Sequence, residues 1–461
     1  MLARVAAFAA CVAMLASPAR ADGPLTLDDA MARVIAHHPE LRAFEPLRVQ
    51  RDAERAAAAL PPPVVVGASL ENALGSGDAR LLTGMEFTLS LSSVLERDGK
   101  RSARDALATR RVDVLARRRE TVRLDLLAET ARRYLDVVLA RELHVIATAD
   151  VAQRERAVRG ARQRVQAGAS PESELLAAEA ALARARLMLG RVSLHVTSAR
   201  QQLAVLWGSG PAADAPFDAG TPDAAPDAGG SGASAAGAHS TILGPAFELA
   251  PADPRVLPAT PGLPALLTLL DTTPDLALFI DEQHIREARL QLAQTAATAD
   301  LGWQVGVRRL EASDDVALVG SVSMPLGARR HAAPAIAAAQ AELVAIGIER
   351  EARGQALYST LIDAHGRYGA ARAEVLALQR EVLPLLARAE RAAERAYRAG
   401  AISYLEWAQL QAEQVQGARQ ALEVARDGQR ALIEIQRLTG TPFVLEAVTH
   451  STAGAANGDV R

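Results

Sequence analysis

Between Lys100 and Gly168 the chain runs for nearly seventy residues without a proline, Gly160 is its one internal glycine, and Ala, Leu, Arg and Glu dominate. These are good helix formers, so one continuous helix about 100 Å long is predicted at 1.5 Å per residue. No single compact core covers a rod of that length. Leu127, Ala131, Tyr134, Val138 and Val145 step by four, three, four and seven, and Leu124, Leu135, Leu139 and Ile146 mark an adjacent face. Two apolar flanks call for neighbours on two sides; a two-stranded coiled coil, which needs one stripe, is the alternative reading.

Thr26 and Asp29 have the spacing of a capping box and open a helix holding Met31, Val34 and Ile35, which Pro39 interrupts. A second helix is predicted from Glu40 to Leu60, stopped by Pro61-Pro62-Pro63. The period then changes. Val64, Val66, Ala68 and Leu70 alternate with Val65, Gly67, Ser69 and Glu71, and after a turn at 75–78 alternation resumes at Met85, Phe87, Leu89 and Leu91, which predicts a strand pair. Asp98-Gly99-Lys100-Arg101 ends it and starts the rod. Beyond Gly168, Ser170 is placed to cap the next helix and Pro171 to occupy its first position. That helix returns to about Leu206, and so tight a turn forces an antiparallel hairpin.

From 209 to 261 the composition shifts to Pro, Ala, Gly, Asp and Ser, which buries too little apolar surface to order itself, and a mostly disordered linker is expected. The pattern then returns. Thr273-Pro274-Asp275-Leu276 echoes His38-Pro39-Glu40-Leu41, strands are predicted at Leu301–Val307 and Val316–Met324, and a second long helix from about Pro334 to Gly400, kinked at Pro384. Gly168 to Gly400 and Gly208 to Gly440 are each 232 positions. A constant offset across long helices marks a tandem duplication: 22–208 as the first repeat, 262–442 as the second, and 443–461 as a tail.

Composition changes the picture mainly by exclusion. With 461 residues, 49% hydrophobic, 23% charged and a net charge of −3, the chain has no nucleic-acid signature. Arg4, the apolar run Val5–Ala16 and Ala19-Arg20-Ala21 read as a secretory signal peptide over 1–21. Its removal takes Cys11, the only cysteine, and leaves no thiol chemistry. No later stretch of eighteen apolar residues is present, so strands or a surface must make any membrane contact. His37 and His38 are adjacent on a helix and point two ways, so no metal site is expected. Arg117-Arg118-Arg119 reads as a solvated face, with anion binding the alternative. Tyr134 and Tyr368, each after an arginine, read as packing residues. No paired carboxylates, nucleophile and base, or phosphate loop stand out, so no enzyme activity, catalytic residue or cofactor is expected.

Four strands are too few to close a barrel with an interior, and their edges invite pairing, which three chains supplying twelve strands would satisfy. Leu25-Thr26-Leu27-Asp28-Asp29-Ala30 with His38-Pro39-Glu40-Leu41, the Gly99-Lys100-Arg101 junction, the hairpins at Gly168 and Gly400, and Leu206-Trp207-Gly208 together resemble the TolC family of outer-membrane efflux channels. The resemblance spans nearly all the chain outside the linker and tail. It implies a mainly α fold with a small β part: duplicated helical hairpins forming a trimeric α-barrel, and two strand pairs per chain joining a shared twelve-stranded transmembrane β-barrel. It further implies a homotrimer in the outer membrane with a periplasmic extension, meeting a periplasmic adaptor and an inner-membrane pump and passing solutes outward.

The tips that the resemblance assigns to the periplasmic gate and adaptor contact hold Gly168, Ala169, Ser170, Glu172 and Glu174 in the first hairpin, and Gly400, Ala401, Ile402, Ser403, Glu406 and Gln409 in the second. A ring of three Glu406 side chains would narrow the mouth and favour cations. One turn on, where some members carry a second acid, Gln409 departs from the pattern. The alternative for the three glutamates is a solvated helix end favoured by the dipole. Two other functions stay open at this point: a periplasmic adaptor, which normally has one hairpin beside compact β domains, and a secreted structural coiled coil, which needs no strands.

Overall fold

The structure, a computed structural model, describes residues 23–74, 76, 84–208 and 247–444. The expected signal peptide with Cys11, most of the turn at 75–83, the linker as far as 246 and the tail from 445 lie outside them. In the first repeat, α1 (Leu27–His37), α2 (Pro39–Arg42) and α3 (Phe44–Ala58) lead into β1 (Val65–Glu71) and β2 (Glu86–Leu95), then α4 (Lys100–Gln166) and α5 (Glu172–Val205). The second repeat has α6 (Leu263–Leu270), α7 (Pro274–Thr295), β3 (Leu301–Leu310), β4 (Asp315–Ser323), α8 (Ala328–Ala377), α9 (Leu383–Arg398) and α10 (Tyr404–Thr439).

Local rules account for most boundaries. Thr26 and Asp29 form the capping box at α1. The single helix expected over 40–60 is two, and His38 caps the first: its Nδ1 accepts from the Glu40 N–H at 3.3 Å. At 67 residues α4 is the expected rod. The second long helix begins six residues earlier than expected, so Pro334 lies inside α8 rather than at its start. Where a kink was expected at Pro384, a π-helical turn over Leu378–Val382 joins α8 to α9. Proline has no N–H to donate to the carbonyl four residues back, and a widened turn absorbs that gap.

The strands of both repeats form one antiparallel sheet in the order β1-β2-β3-β4. The register places Val66, Leu70, Phe87, Leu89, Leu91, Trp303, Val305, Val307, Leu318 and Val322 on one face. The opposite face holds Ser69, Glu71, Glu86, Thr88, Ser90, Ser92, Gln304, Arg308, Ser321 and Ser323, with glycines at 67, 302 and 306. A soluble sheet would bury its apolar face, yet Leu89 is 52% and Leu318 85% exposed. The polar face is cross-linked instead: Arg308 donates to Thr88 Oγ1 at 3.0 Å and to Glu86 at 2.7 Å. Lys100 ties the sheet base to the rod through Asp300 at 2.7 Å.

The expected linker departs from expectation at its end. Residues 247–261 form an ordered strap: Leu249 pairs with Leu25, the Leu25 N–H donates to Glu248 O at 2.6 Å, and Leu249 and Leu257 are buried. Its carbonyls accept from helix side chains, including Gln429 Nε2 to Pro254 O at 3.0 Å and Arg372 Nε to Leu257 O at 3.1 Å. Tyr134 and Tyr368 are almost fully buried and repeat one role, Tyr134 donating to Leu25 O at 3.0 Å and Tyr368 to Pro258 O. Burial pushes the Tyr134 hydroxyl up to about 12. Composition averaged over 209–261 hid these few apolar anchors.

Two more expectations change. Arg117 and Arg118 neither face solvent unpaired nor gather an anion, since they reach across to Asp281 (2.5 Å) and Glu282 on α7. By length and composition, Leu263–Thr295 and Ala328–Arg398 are apolar enough to cross a membrane, which the residue count had not foreseen. The first is broken by the turn between α6 and α7 and sends Leu266 and Leu270 into the core, and the second owes its hydropathy largely to alanine.

Candidate functional site

Both hairpin tips lie together at the end of the helices remote from the sheet, and both turns are built alike. Gly168 and Gly400 have φ of +68° and +77°, the left-handed conformation that lets a helix end in a Schellman turn. The Ala169 N–H then reaches Arg164 O at 2.8 Å, and the Ala401 N–H reaches Ala396 O at 2.9 Å. The next helices start differently. Ser403 caps α10 in a capping box with Glu406. Ser170, expected to do the same for α5, does not: Pro171 stands at the cap without a side-chain bond, and Ser170 Oγ accepts from Arg164 Nε at 2.9 Å.

Arg164 is the residue that joins the tips. From the last turn of α4 its Nη1 donates to Tyr397 O at 2.5 Å, and its guanidinium lies 4.8 Å from the Tyr397 ring centre. Tyr397 stacks on Trp407 at 5.0 Å, with Tyr404 edge-on to both. The Trp407 indole donates to Glu390 at 3.1 Å, and Gln153 on α4 donates to the same oxygen at 2.7 Å. Beside them Asp150 and Arg154 form a buried pair at 3.0 Å. Burial, and then the Glu174 carboxylate, raise the Tyr397 hydroxyl above its ordinary range.

The other expected site residues fall around this cluster. Gly168, Ala169, Glu172, Gly400, Ala401, Ser403, Glu406 and Gln409 are exposed, while Ser170, Glu174 and Ile402 are half-buried. Gln409 donates to Glu413 on its own helix at 3.2 Å. Glu406 accepts from the Ser403 N–H at 2.8 Å, and that bond lowers its carboxyl below the ordinary 4.5. A depressed carboxyl stabilises the fold fully above 4.5 and loses that contribution as pH falls below it through the folded value. Hydrogen exchange of the first turn of α10 is therefore expected to accelerate in acid below that point, and to be pH-flat in Glu406→Gln after correction for intrinsic exchange. Sequence reading missed Arg164, Trp407 and Glu390. Arg164 stands where the second repeat has Ala396, so the repeat logic that found the turns passed over the residue linking them.

Comparison with known proteins points the same way. The family model described as outer membrane efflux protein matches residues 31–209. The cobalt-zinc-cadmium resistance protein CzcC of Cupriavidus metallidurans is 25% identical over 355 residues, 77% of each chain. The solved structure of CusC superposes with a TM-score of 0.68 at 16% identity, over 90% of this chain and 91% of that one. VceC of Vibrio cholerae gives 0.69 at 15% identity, over 91% and 97%. The sheet with open edges, the paired long hairpins and these relatives agree, and the chain is a member of the outer-membrane efflux proteins, the TolC family of channels.

Proposed function

We propose that three copies of the chain close into one export duct through the outer membrane, with the tips as its periplasmic mouth. The observation that carries this is the two-faced sheet. Its edge strands β1 and β4 have no partner among the described residues, and its apolar face has no cover. In a bilayer every strand edge must be paired, which closure into a barrel achieves, with the apolar face outward and the Ser, Thr, Glu and Arg face lining water. The helices offer matching flanks: Leu187 and Leu194 stand out from α5, Val344 and Ile348 from α8. Different patches on the two sides of one chain join head to tail and close a ring.

The chain supplies no chemistry in this reading. Solute enters at the tips, delivered by an inner-membrane pump through a periplasmic adaptor, and leaves by the barrel. The sites at Glu172, Glu174, Ile402 and Glu406 act as gate and adaptor contact, with the exposed Glu406 ring favouring cations. For the cargo, the likeness to CzcC favours divalent metal cations over drugs or peptides. The test is reconstitution: protein purified from outer membranes is expected to give discrete conductances in a planar bilayer, and the deletion strain to lose tolerance to cobalt, zinc or cadmium. A protein that stays in the soluble periplasm and conducts nothing refutes the duct, while conductance with unchanged metal tolerance refutes only the cargo.

A further inference from the structure

Above the tips, α5 and α10 diverge over α4 and leave a groove of about 720 Å³. Its α5 bank runs from Ala177 to Met188 and its α10 bank from Tyr404 to Arg419, roughly 16 and 22 Å at 1.5 Å per residue. That is the length of a helical segment, too long for a single small ion. The banks are small: Ala177, Ala180 and Ala181 face Ala408 and Ala412. Small side chains let another helix backbone approach closely. Just beyond one end, Leu176 and Leu405 are 57% and 74% exposed.

Charge and polarity narrow the occupant. Arg154 is neutralised by Asp150, whereas Arg184 and Arg419 form no salt bridge among the described residues. Tyr404, only 2% exposed, lines the groove, and its hydroxyl, buried beside Arg154, completes no hydrogen bond. Two unpaired guanidiniums and a donor hydroxyl suit carboxylates on an incoming side chain.

We propose that this groove receives an amphipathic helix of the periplasmic partner whose contact face carries glutamate or aspartate, with Arg184 and Arg419 as its charge anchors. The inference rests on the proposed adaptor contact at the tips and extends it one helical segment upward. A second copy of the chain is disfavoured as occupant because the exposed α5 stripe offered to a neighbour, Leu187 and Leu194, is not among the groove's lining residues.

Two measurements test it on the full-length assembly. The probe for the first is a synthetic twenty-residue Ala/Leu helix with glutamates on one face, and a matched peptide with lysines in their place. The acidic peptide is expected to bind the detergent-solubilised protein, and Arg184→Glu with Arg419→Glu to weaken it at least tenfold, while conductance and oligomeric size stay those of the parent. Equal binding of both peptides, or no loss in the double variant, overturns the proposal. The second places a photo-cross-linking residue at Ala180, Ala412 or Ile402 in living cells. Products from Ala180 and Ala412 that map to an acidic helix of a periplasmic protein support the groove. Products with another copy, or products from Ile402 alone, overturn it and leave the tip contact standing. No product from any of the three positions, Ile402 included, removes the adaptor contact on which it rests.

Discussion

Arg437→Ala is expected to lower the thermal midpoint of the assembly more than any other single substitution away from the sheet. Arg437 lies near the sheet-remote face of neither hairpin tip but at the level where α4, α7 and α10 meet, with its side chain 10% exposed. Nη1 and Nη2 hold both carboxylate oxygens of Asp275 at 3.0 and 3.1 Å, and Nε reaches Asp125 at 2.7 Å. Burial works against the charge, but the two carboxylates outweigh it and hold the guanidinium above its ordinary range. Removing the arginine leaves Asp275, 8% exposed, as a nearly uncompensated charge. Breaking such a pair from one side costs about 3–5 kcal/mol, whereas replacing both partners with apolar residues is close to neutral. Calorimetry should thus show a large fall for Arg437→Ala and substantial recovery in Arg437→Met with Asp275→Leu. A small effect of the single change would mean that water reaches Asp275 in the assembly.

The second large effect is functional. Arg164→Ala is expected to raise the open fraction of the channel roughly a hundredfold without changing the single-channel conductance of the barrel. One charged hydrogen bond to Tyr397 O and one cation–π contact link the two hairpins through this side chain. Together such contacts amount to about 2–3 kcal/mol, and every 1.4 kcal/mol is tenfold in a two-state equilibrium. Arg164→Lys keeps the charge but not the fork that also holds Ser170 and Ala169, so it should fall between the two. Dwell-time analysis in bilayers reads this directly. Unaltered gating in Arg164→Ala would place the closing contacts elsewhere, in the aromatic stack or between chains.

Much of this architecture is legible in the sequence because long amphipathic helices and alternating strands announce themselves by period. The rod from Lys100, the four strands, the turns at Gly168 and Gly400 and the capping box at Thr26 all rest on local rules, and local rules decide them. What escaped depends on distant partners. The strap over 247–261 is held by Gln429, Arg372, Tyr134 and Tyr368, none near it in sequence, while its own composition argues against order. Ser170 looks like a cap until Arg164, folded back from the other side of the turn, claims its oxygen. Arg117 and Arg118 look solvated until α7 arrives beside them. In each case the side chain has a sound local reading and a stronger long-range one.

The central claim is that edge strand β1 of one chain pairs with β4 of the next around a closed ring of three. Because Cys11 is the chain's one cysteine and falls in the expected signal peptide, cysteines introduced at Val66 and Val319 would be the only thiols of the mature protein. Oxidation of intact outer membranes carrying both substitutions is predicted to give a covalent ladder ending at three chains, and each single substitution to give none. A product that stops at one chain, with the two cysteines joined within it, would contradict the ring and with it the duct.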